Sequence, residues 1–217
     1  RAYVGGALGS WCAVAKDTAD IVLLDDEFST IVDAVEQGRH VYQNIKKVVL
    51  YLVSGSFSEV ILVAGSMLAG FPIAALPAQI LWINLVEDAF PNIALAFDKG
   101  DKENMQDPPR PKHTSIIDTE MKAMIIAKAI IANVLLFSIF VYFYTTTKNI
   151  ELTRTIVFIG FGIDALFYIF SIRSMRKMIW HMNPFSNRHL LAAVAFGWVM
   201  LILAVYWHPL QILLRTV

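Results

Sequence analysis

Cysteine, charge and any excess of one sign are what this chain has least of. Its one cysteine, Cys12, cannot close an internal disulfide and leaves the redox compartment undecided. Charged residues make up 17% of the 217 positions, against roughly a quarter in a soluble domain. The 18 basic side chains balance the 18 acidic ones, and a net charge of zero argues against a nucleic-acid partner. The five histidines, His40, His113, His181, His189 and His208, show no metal-ligand spacing. No glycine-rich phosphate loop, Ser/His/Asp arrangement or pair of carboxylates in a soluble segment stands out. The N-terminus lacks an apolar core followed by a cleavage site, so no signal peptide is expected.

What the chain does have is long apolar runs. It is 57% hydrophobic, with a mean hydropathy of +0.57. Length and apolarity predict five membrane spans, at about Val48–Ala69, Ala78–Phe97, Met124–Tyr144, Thr155–Ile172 and Leu190–Trp207. The first two are joined by a short turn, Gly70–Pro77, and are therefore expected to be antiparallel neighbours. Only Lys148, Arg154 and Arg215 fall on one side of these spans. Arg39, Lys46, Lys47, Lys99, Lys102, Arg110, Lys112, Arg173, Arg176, Lys177 and Arg188 fall on the other. The positive-inside rule then puts the N-terminus in the cytoplasm, in a multi-pass protein of the cell (plasma or inner) membrane, with the lipid bilayer as its first partner. Lys128 falls near the cytoplasmic end of the third span, where it is expected to snorkel. Trp180 and Trp207 read as interfacial anchors.

Ahead of the spans, Asp20–Leu24 reads as a buried strand, and Phe28–Gln37 as a helix with Ser29 or Thr30 as N-cap and Gly38 as its stop. Some forty residues build little core alone, so this start looks like the end of a larger α/β domain. The loop Asp98–His113, with Pro108, Pro109 and Pro111, should be irregular. The fold class expected is all-α and polytopic, with a short α/β stub at a cytoplasmic N-terminus.

Chemistry concentrates in Leu81–Pro91, where an amide and two adjacent carboxylates interrupt an apolar run. A charge at the centre of a bilayer helix costs roughly 2.5–3.5 kcal/mol on insertion scales, so two in a row are rarely kept for stability. Asn84, Glu87 and Asp88 sit at i, i+3 and i+4, which in an α-helix is one face. In the first span Ser56 and Glu59 also share a face, and Gly55 between the serines lets another helix approach. Ser56 and Glu59 are expected to face Asn84, Glu87 and Asp88 at similar depth. This oxygen-only set suits Ca²⁺, Mg²⁺ or Mn²⁺ and no softer metal. Three carboxylates exceed one divalent cation in charge, so at least one acid is expected to carry a proton when the site is empty, and proton counter-transport follows. Pro91 removes a backbone donor and frees the Glu87 carbonyl, either as a further ligand or as a plain kink. Asp164, flanked by Gly160 and Gly162, reads as a further ligand, a proton site or a partner for Lys128.

These residues resemble a known family. The run Asp17–Asp26 is similar to the end of the phosphorylation domain, of the haloacid-dehalogenase type, of P-type cation-transporting ATPases. Gly38-Arg39, Tyr42, Asn44, Ile45, Lys46 and Lys47 resemble the stalk into the fifth transmembrane helix of that family. Leu81–Pro91 resembles the sixth helix, and Met105 with Pro108-Pro109-Arg110 the next cytoplasmic loop. The likeness covers about residues 14–210, is most specific in 17–112, and is closest to the calcium-pump-like group. It implies a phosphorylation-domain remnant in residues 1–38 and the C-terminal transmembrane domain, helices five to nine, in residues 39–217. By the same resemblance Glu59, Asn84 and Asp88 match calcium-coordinating positions. Ser56 stands where calcium pumps have Asn and Glu87 where they have Thr. Ala165, with Asp164 beside it, lies near the ligand position of the eighth helix.

The expected function is the ion-pathway half of an ATP-driven cation pump, with Ca²⁺ first and Mn²⁺ second as the transported ion. The family's Asp-Lys-Thr-Gly and Gly-Asp-Gly motifs are absent, so ATP and Mg²⁺ are expected to act only in a complete pump, with the missing domains and first four helices elsewhere or on a separate chain. This chain alone is expected to turn over no ATP. The rival readings are a non-catalytic cation-binding or regulatory membrane protein and a degenerate remnant.

Overall fold

The computed structural model describes residues 4–98, 105, 106, 108, 115–173 and 186–217. They belong to two compact units, one drawn from Arg1–Gln43 and Gly100–Pro109, the other from Asn44–Lys99 and Arg110–Val217. Most of the loop expected to be irregular lies outside the described residues, as do Lys99, Lys102, Arg110, Lys112, Arg176, Lys177, Trp180 and the Pro109-Arg110 pair.

In the first unit, strand β1 (Gly6–Leu8) pairs in parallel with β2 (Ile21–Leu23), in the register Gly6 to Ile21, with helix α1 (Ala13–Thr18) as the crossover. The strand expected at Asp20–Leu24 is β2, though of it only Leu23 is buried while Ile21 and the following Leu24 are exposed, and β1 is a partner the sequence reading did not provide. Two acids tie the ends of β1: Gly5 N–H donates to Asp20 Oδ2 at 2.8 Å and Ser10 N–H to Asp26 Oδ1 at 3.0 Å. The hydroxyl of Thr30 holds the Asp25 carboxyl below the usual carboxylate range, and the N–H of Ser10 does the same for Asp26.

Helix α2 runs unbroken from Ser29 to Leu68, so Gly38 is not a stop. A mid-helix glycine costs about 1 kcal/mol relative to alanine, and strong helix formers on both sides outweigh that. Glu36 and His40, one turn apart across Gly38, approach to 3.8 Å. The helix actually ends at Gly70, whose φ of +76° is the left-handed cap, with Phe71 N–H returning to the Ser66 carbonyl at 2.9 Å. At 1.5 Å per residue its 40 residues reach about 60 Å, twice a bilayer's hydrocarbon core.

The second unit is a helix bundle. Pro77 opens α3 (Pro77–Trp82), a π-helical turn follows over Ile83–Asp88, and α4 (Ala89–Ala96) completes the segment. Helices α5 (Thr119–Thr147), α6 (Ile150–Ile172), α7 (Arg188–Tyr206) and the short α8 (His208–Leu214) follow. Helices α2, α5, α6 and α7 are each long and apolar enough to cross a membrane. The second expected span, about Ala78–Phe97, is the three-part segment Pro77–Ala96, about 30 Å long at helical rise.

The helices outrun the apolar stretches because polar residues cap them. Asp118 accepts from Met121 N–H, Asn149 from Glu151 and Leu152 N–H, and Asn187 from Leu190 N–H. Two apolar cores form inside the bundle. One gathers Leu62, Ile83, Phe140, Phe158, Phe161 and Leu201; the other gathers Leu50, Leu95, Ile125, Leu166, Ile169 and Val194. On α2 and α6 the stretch between the two cores holds Ser54, Ser58, Glu59, Gly162 and Asp164, so the polar side chains form a band between two dry layers.

Candidate functional site

The π-helical turn contains Asn84, Glu87 and Asp88, all three. Pro91 follows in the first turn of α4 and has no N–H to return to the Glu87 carbonyl. A π turn bonds i to i+5 and is wider than an α turn. Three residues therefore fall short of a full turn, and the one-face expectation for an α-helix needs correcting. Asn84 and Asp88 stay on the side facing α2. Glu87 is turned toward α6, where a Cβ on Gly162 would overlap its Oε2.

A cavity of about 20 Å³, room for one water-sized particle, is lined by Tyr51, Gly55, Glu59, Ile83, Asp88, Lys128, Phe161, Asp164, Ala165 and Tyr168. Beside it, Asn84 Nδ2 donates to Glu59 Oε1 at 3.0 Å and Oε2 at 3.1 Å, and to the Ile80 carbonyl at 3.0 Å. The Tyr51 hydroxyl donates to Asp88 Oδ1 at 2.8 Å and stands 3.1 Å from the Ala165 carbonyl oxygen. Gly55 sits one helical turn from both Tyr51 and Glu59. A Cβ there would come within 3.7 Å of Asp88 Oδ2, so the close approach of α2 to the π turn is used by the carboxylate itself.

The six sequence-predicted residues thus separate. Glu59 and Asp88 line one cavity, and Asn84 is bonded to Glu59. Glu87 is fully buried, does not line that cavity, and makes no hydrogen bond among the described residues. Ser56, expected on the Glu59 face, is exposed; Ser58 and Ser54 are the buried serines. Three residues apart on an α-helix is about 300° of rotation, and the tight packing against α2 admits only the narrower stripe of Tyr51, Gly55 and Glu59. Asp164 lines the cavity, but as the partner of Lys128, whose Nζ is 2.8 Å away. Lys128 does not snorkel to an interface: it points into the bundle and also donates to Ser58 Oγ at 3.2 Å. Among the described residues no three His, Cys, Asp or Glu side chains close on one point as a ready metal cage.

Sequence reasoning missed Tyr51 and Tyr168, and it offered the Lys128–Asp164 pair, which the structure shows, only as one of three readings of Asp164. The i, i+4, i+8 stripe of Tyr51, Gly55 and Glu59 was available as a signal. So was the rule already applied to the acids, that a charge inside an apolar run has a purpose, together with a complementary acid in the next span.

A second polar cluster lies where α4 ends. The Asp98 carboxylate accepts from Arg173 Nε and Nη2 at 3.3 Å and from Asn187 Nδ2 at 2.9 Å, with Lys47 Nζ at 3.9 Å. Its backbone carbonyl accepts from Asn44 Nδ2 at 2.7 Å. One buried acid thereby joins α2, α4, α6 and the cap of α7.

Several helices long and apolar enough to cross a membrane, packed around a band of acid, amide and ammonium groups, define a polytopic membrane protein. A family model described as "Cation transporting ATPase, C-terminus" matches residues 72–217, and the chain belongs to this family, the C-terminal membrane region of P-type cation-transporting ATPases. It is similar to a calcium-transporting ATPase of Bacillus subtilis (strain 168), at 30% identity over 100% of this chain and 24% of that protein. It is also similar to calcium-transporting ATPase 1 of Bacillus cereus (strain ATCC 10987 / NRS 248), at 32% identity over 97% of this chain and 26% of that protein. The chain spans about a quarter of the length of these relatives.

Proposed function

We propose that this chain is the ion-pathway part of an ATP-driven cation pump, and that Glu59, Asn84 and Asp88 bind the transported ion. The observation that carries this reading is the meeting of Glu59 and Asp88 at one small cavity inside an apolar bundle, with Asn84 held against Glu59. The ligands are all oxygens, which favours a hard divalent cation, Ca²⁺ before Mn²⁺. The names of the two Bacillus relatives support Ca²⁺.

The hydrogen bonds describe what a cation must displace. Asn84 presents its NH₂ to Glu59, so the amide turns over to offer Oδ1 when an ion arrives. Tyr51 holds Asp88 Oδ1 toward α6, leaving Oδ2 beside Gly55 and the cavity. Asp164 takes part through Lys128 rather than as a first ligand. Ser56 has no ligand role in this arrangement.

Glu87 accounts for the proton. A carboxyl with no hydrogen-bond partner among the described residues, sealed between α6 and α7, is costly to bury as an anion. In this reading it carries a proton and gives it up when the π turn rearranges around a cation, which supplies counter-transport. The excess of Lys and Arg on one side of the spans supports a cytoplasmic N-terminal side in this reading, with the cell membrane as the proposed location. ATP and Mg²⁺ act on segments of the pump outside this sequence.

The test is ion-dependent phosphorylation and ⁴⁵Ca²⁺ uptake by the complete pump in proteoliposomes. Asp88→Asn should abolish both. Uptake by Asp88→Asn with unchanged Ca²⁺ affinity would refute the ligand role.

A further inference from the structure

The cation site contains a positive charge of its own. Lys128 lies nine residues into α5, roughly 13 Å along the helix from its first residue, in the apolar part of a spanning helix. An ammonium there costs several kcal/mol unless it is partnered. Its Nζ is 2.8 Å from Asp164 Oδ2 and 3.2 Å from Ser58 Oγ, and it stands 5.1 Å from the centre of the Tyr168 ring. Asp164 and Tyr168 line the small cavity, Ser58 directly precedes Glu59, which also lines it, and Tyr168 in turn donates to Ser54 Oγ at 3.1 Å.

Two further observations bear on what this ammonium does. First, the charged groups lining the small cavity are Glu59, Asp88, Asp164 and Lys128, a formal balance of minus two, which one divalent cation neutralises. Without Lys128 the balance is minus three. Second, Lys128, Asp164 and Tyr168 also line a neighbouring cavity of about 370 Å³ walled mostly by apolar side chains, among them Leu50, Met124 and Ile131. The Lys128–Asp164 pair is therefore the partition between a space the size of one ion and a space large enough for a lysine side chain to swing into.

We propose that Lys128 is a tethered internal cation of the transport site: it neutralises one carboxylate, limits the site to a single divalent ion, and competes with that ion unless Asp164 holds it aside. This rests on the assignment of Glu59, Asn84 and Asp88 as ion ligands. Asp164 is the positioning residue in this scheme. Removing the ammonium strengthens cation binding, whereas removing Asp164 releases the ammonium toward Glu59 and Asp88 and weakens binding. A salt bridge that merely held helices together would weaken binding on loss of either partner.

The experiment is equilibrium ⁴⁵Ca²⁺ binding to the purified complete pump in lipid nanodiscs. Wild type should bind one ion. Lys128→Met should bind Ca²⁺ about tenfold more tightly and Asp164→Asn about tenfold more weakly, on the strength of one unit charge in a low-dielectric site. The double variant should return toward wild type, and Lys128→Arg, which keeps the charge, should stay near it. Lys128→Met binding no tighter than wild type, or Asp164→Asn no weaker, overturns the inference. Asp88→Asn in the same assay separates the two claims. If it binds as wild type does, the ligand assignment fails; if it loses binding while Lys128→Met is unchanged or weaker, only the role of Lys128 fails.

Discussion

Gly162→Ala sets one methyl against the buried carboxyl of Glu87. A Cβ at this position would overlap Glu87 Oε2 and come within 2.9 Å of Leu201 Cδ1 and 3.0 Å of Cδ2. Glu87 and Leu201 are both buried, so neither has free space to retreat into. Overpacking of this kind costs about 1–3 kcal/mol. Alanine in place of glycine inside a helix returns up to about 1 kcal/mol, which leaves a net loss of up to about 3 kcal/mol. Gly65 on α2 provides the control, since a Cβ there meets nothing within 4 Å and Gly65→Ala should be neutral or stabilising. The assay is thermal unfolding of the complete pump in nanodiscs, run on both variants and on Gly162→Ala combined with Glu87→Ala. Gly162→Ala should lower the midpoint by a few degrees, and much of that loss should disappear when Glu87 is shortened. Equal stability of the Gly162 and Gly65 variants, or a loss that Glu87→Ala does not relieve, would refute the placement of Glu87 against α6.

Asp98→Ala should destabilise the bundle by about 3 kcal/mol, because breaking a buried ion pair leaves uncompensated charge; denaturant unfolding of the complete pump checks this, and a change under 1 kcal/mol would contradict the joining role of Asp98. The carboxyls of Asp25 and Asp26 are held low by hydrogen bonds from Thr30 and Ser10. Their contribution to stability is therefore present above the ordinary carboxylate range and is lost as pH falls through their lower folded values. Hydrogen exchange at the Ser10 amide, corrected for the intrinsic pH dependence, should lose protection below about pH 4; protection that does not change with pH would contradict the Asp26 contact.

What the sequence could and could not show divides along physical lines. Apolar runs about one bilayer long locate helices without ambiguity, and an acid or amide within such a run announces itself, so the meeting of Glu59, Asn84 and Asp88 at one depth was legible. Helix ends were less so. Gly38 has the composition of a stop, but only Gly70 has the left-handed backbone that ends α2. The largest gap came from the π turn at Ile83–Asp88. Face arithmetic assumes 3.6 residues per turn, and a local change of pitch moves Glu87 off the face it was assigned. Pro91 marked the segment as irregular, but nothing local marked the sense of the irregularity. Ser56 and Lys128 were misplaced for a related reason, since depth and direction in a bundle depend on which neighbour packs where. The close approach of Asp88 to Gly55 and the pull of Asp164 on Lys128 are tertiary facts.

The central claim is that Glu59, Asn84 and Asp88 hold the transported ion. Mn²⁺, the second of the two proposed ions, scatters anomalously and reports its own position. A crystal structure of the complete pump with Mn²⁺ bound, phased on the anomalous signal, should show a single peak coordinated by oxygens of Glu59, Asn84 and Asp88, with the Asn84 amide turned and Lys128 drawn toward Asp164. A peak on Asp164 or Glu87 with Glu59 and Asp88 unliganded, or no peak within the bundle, would contradict the account.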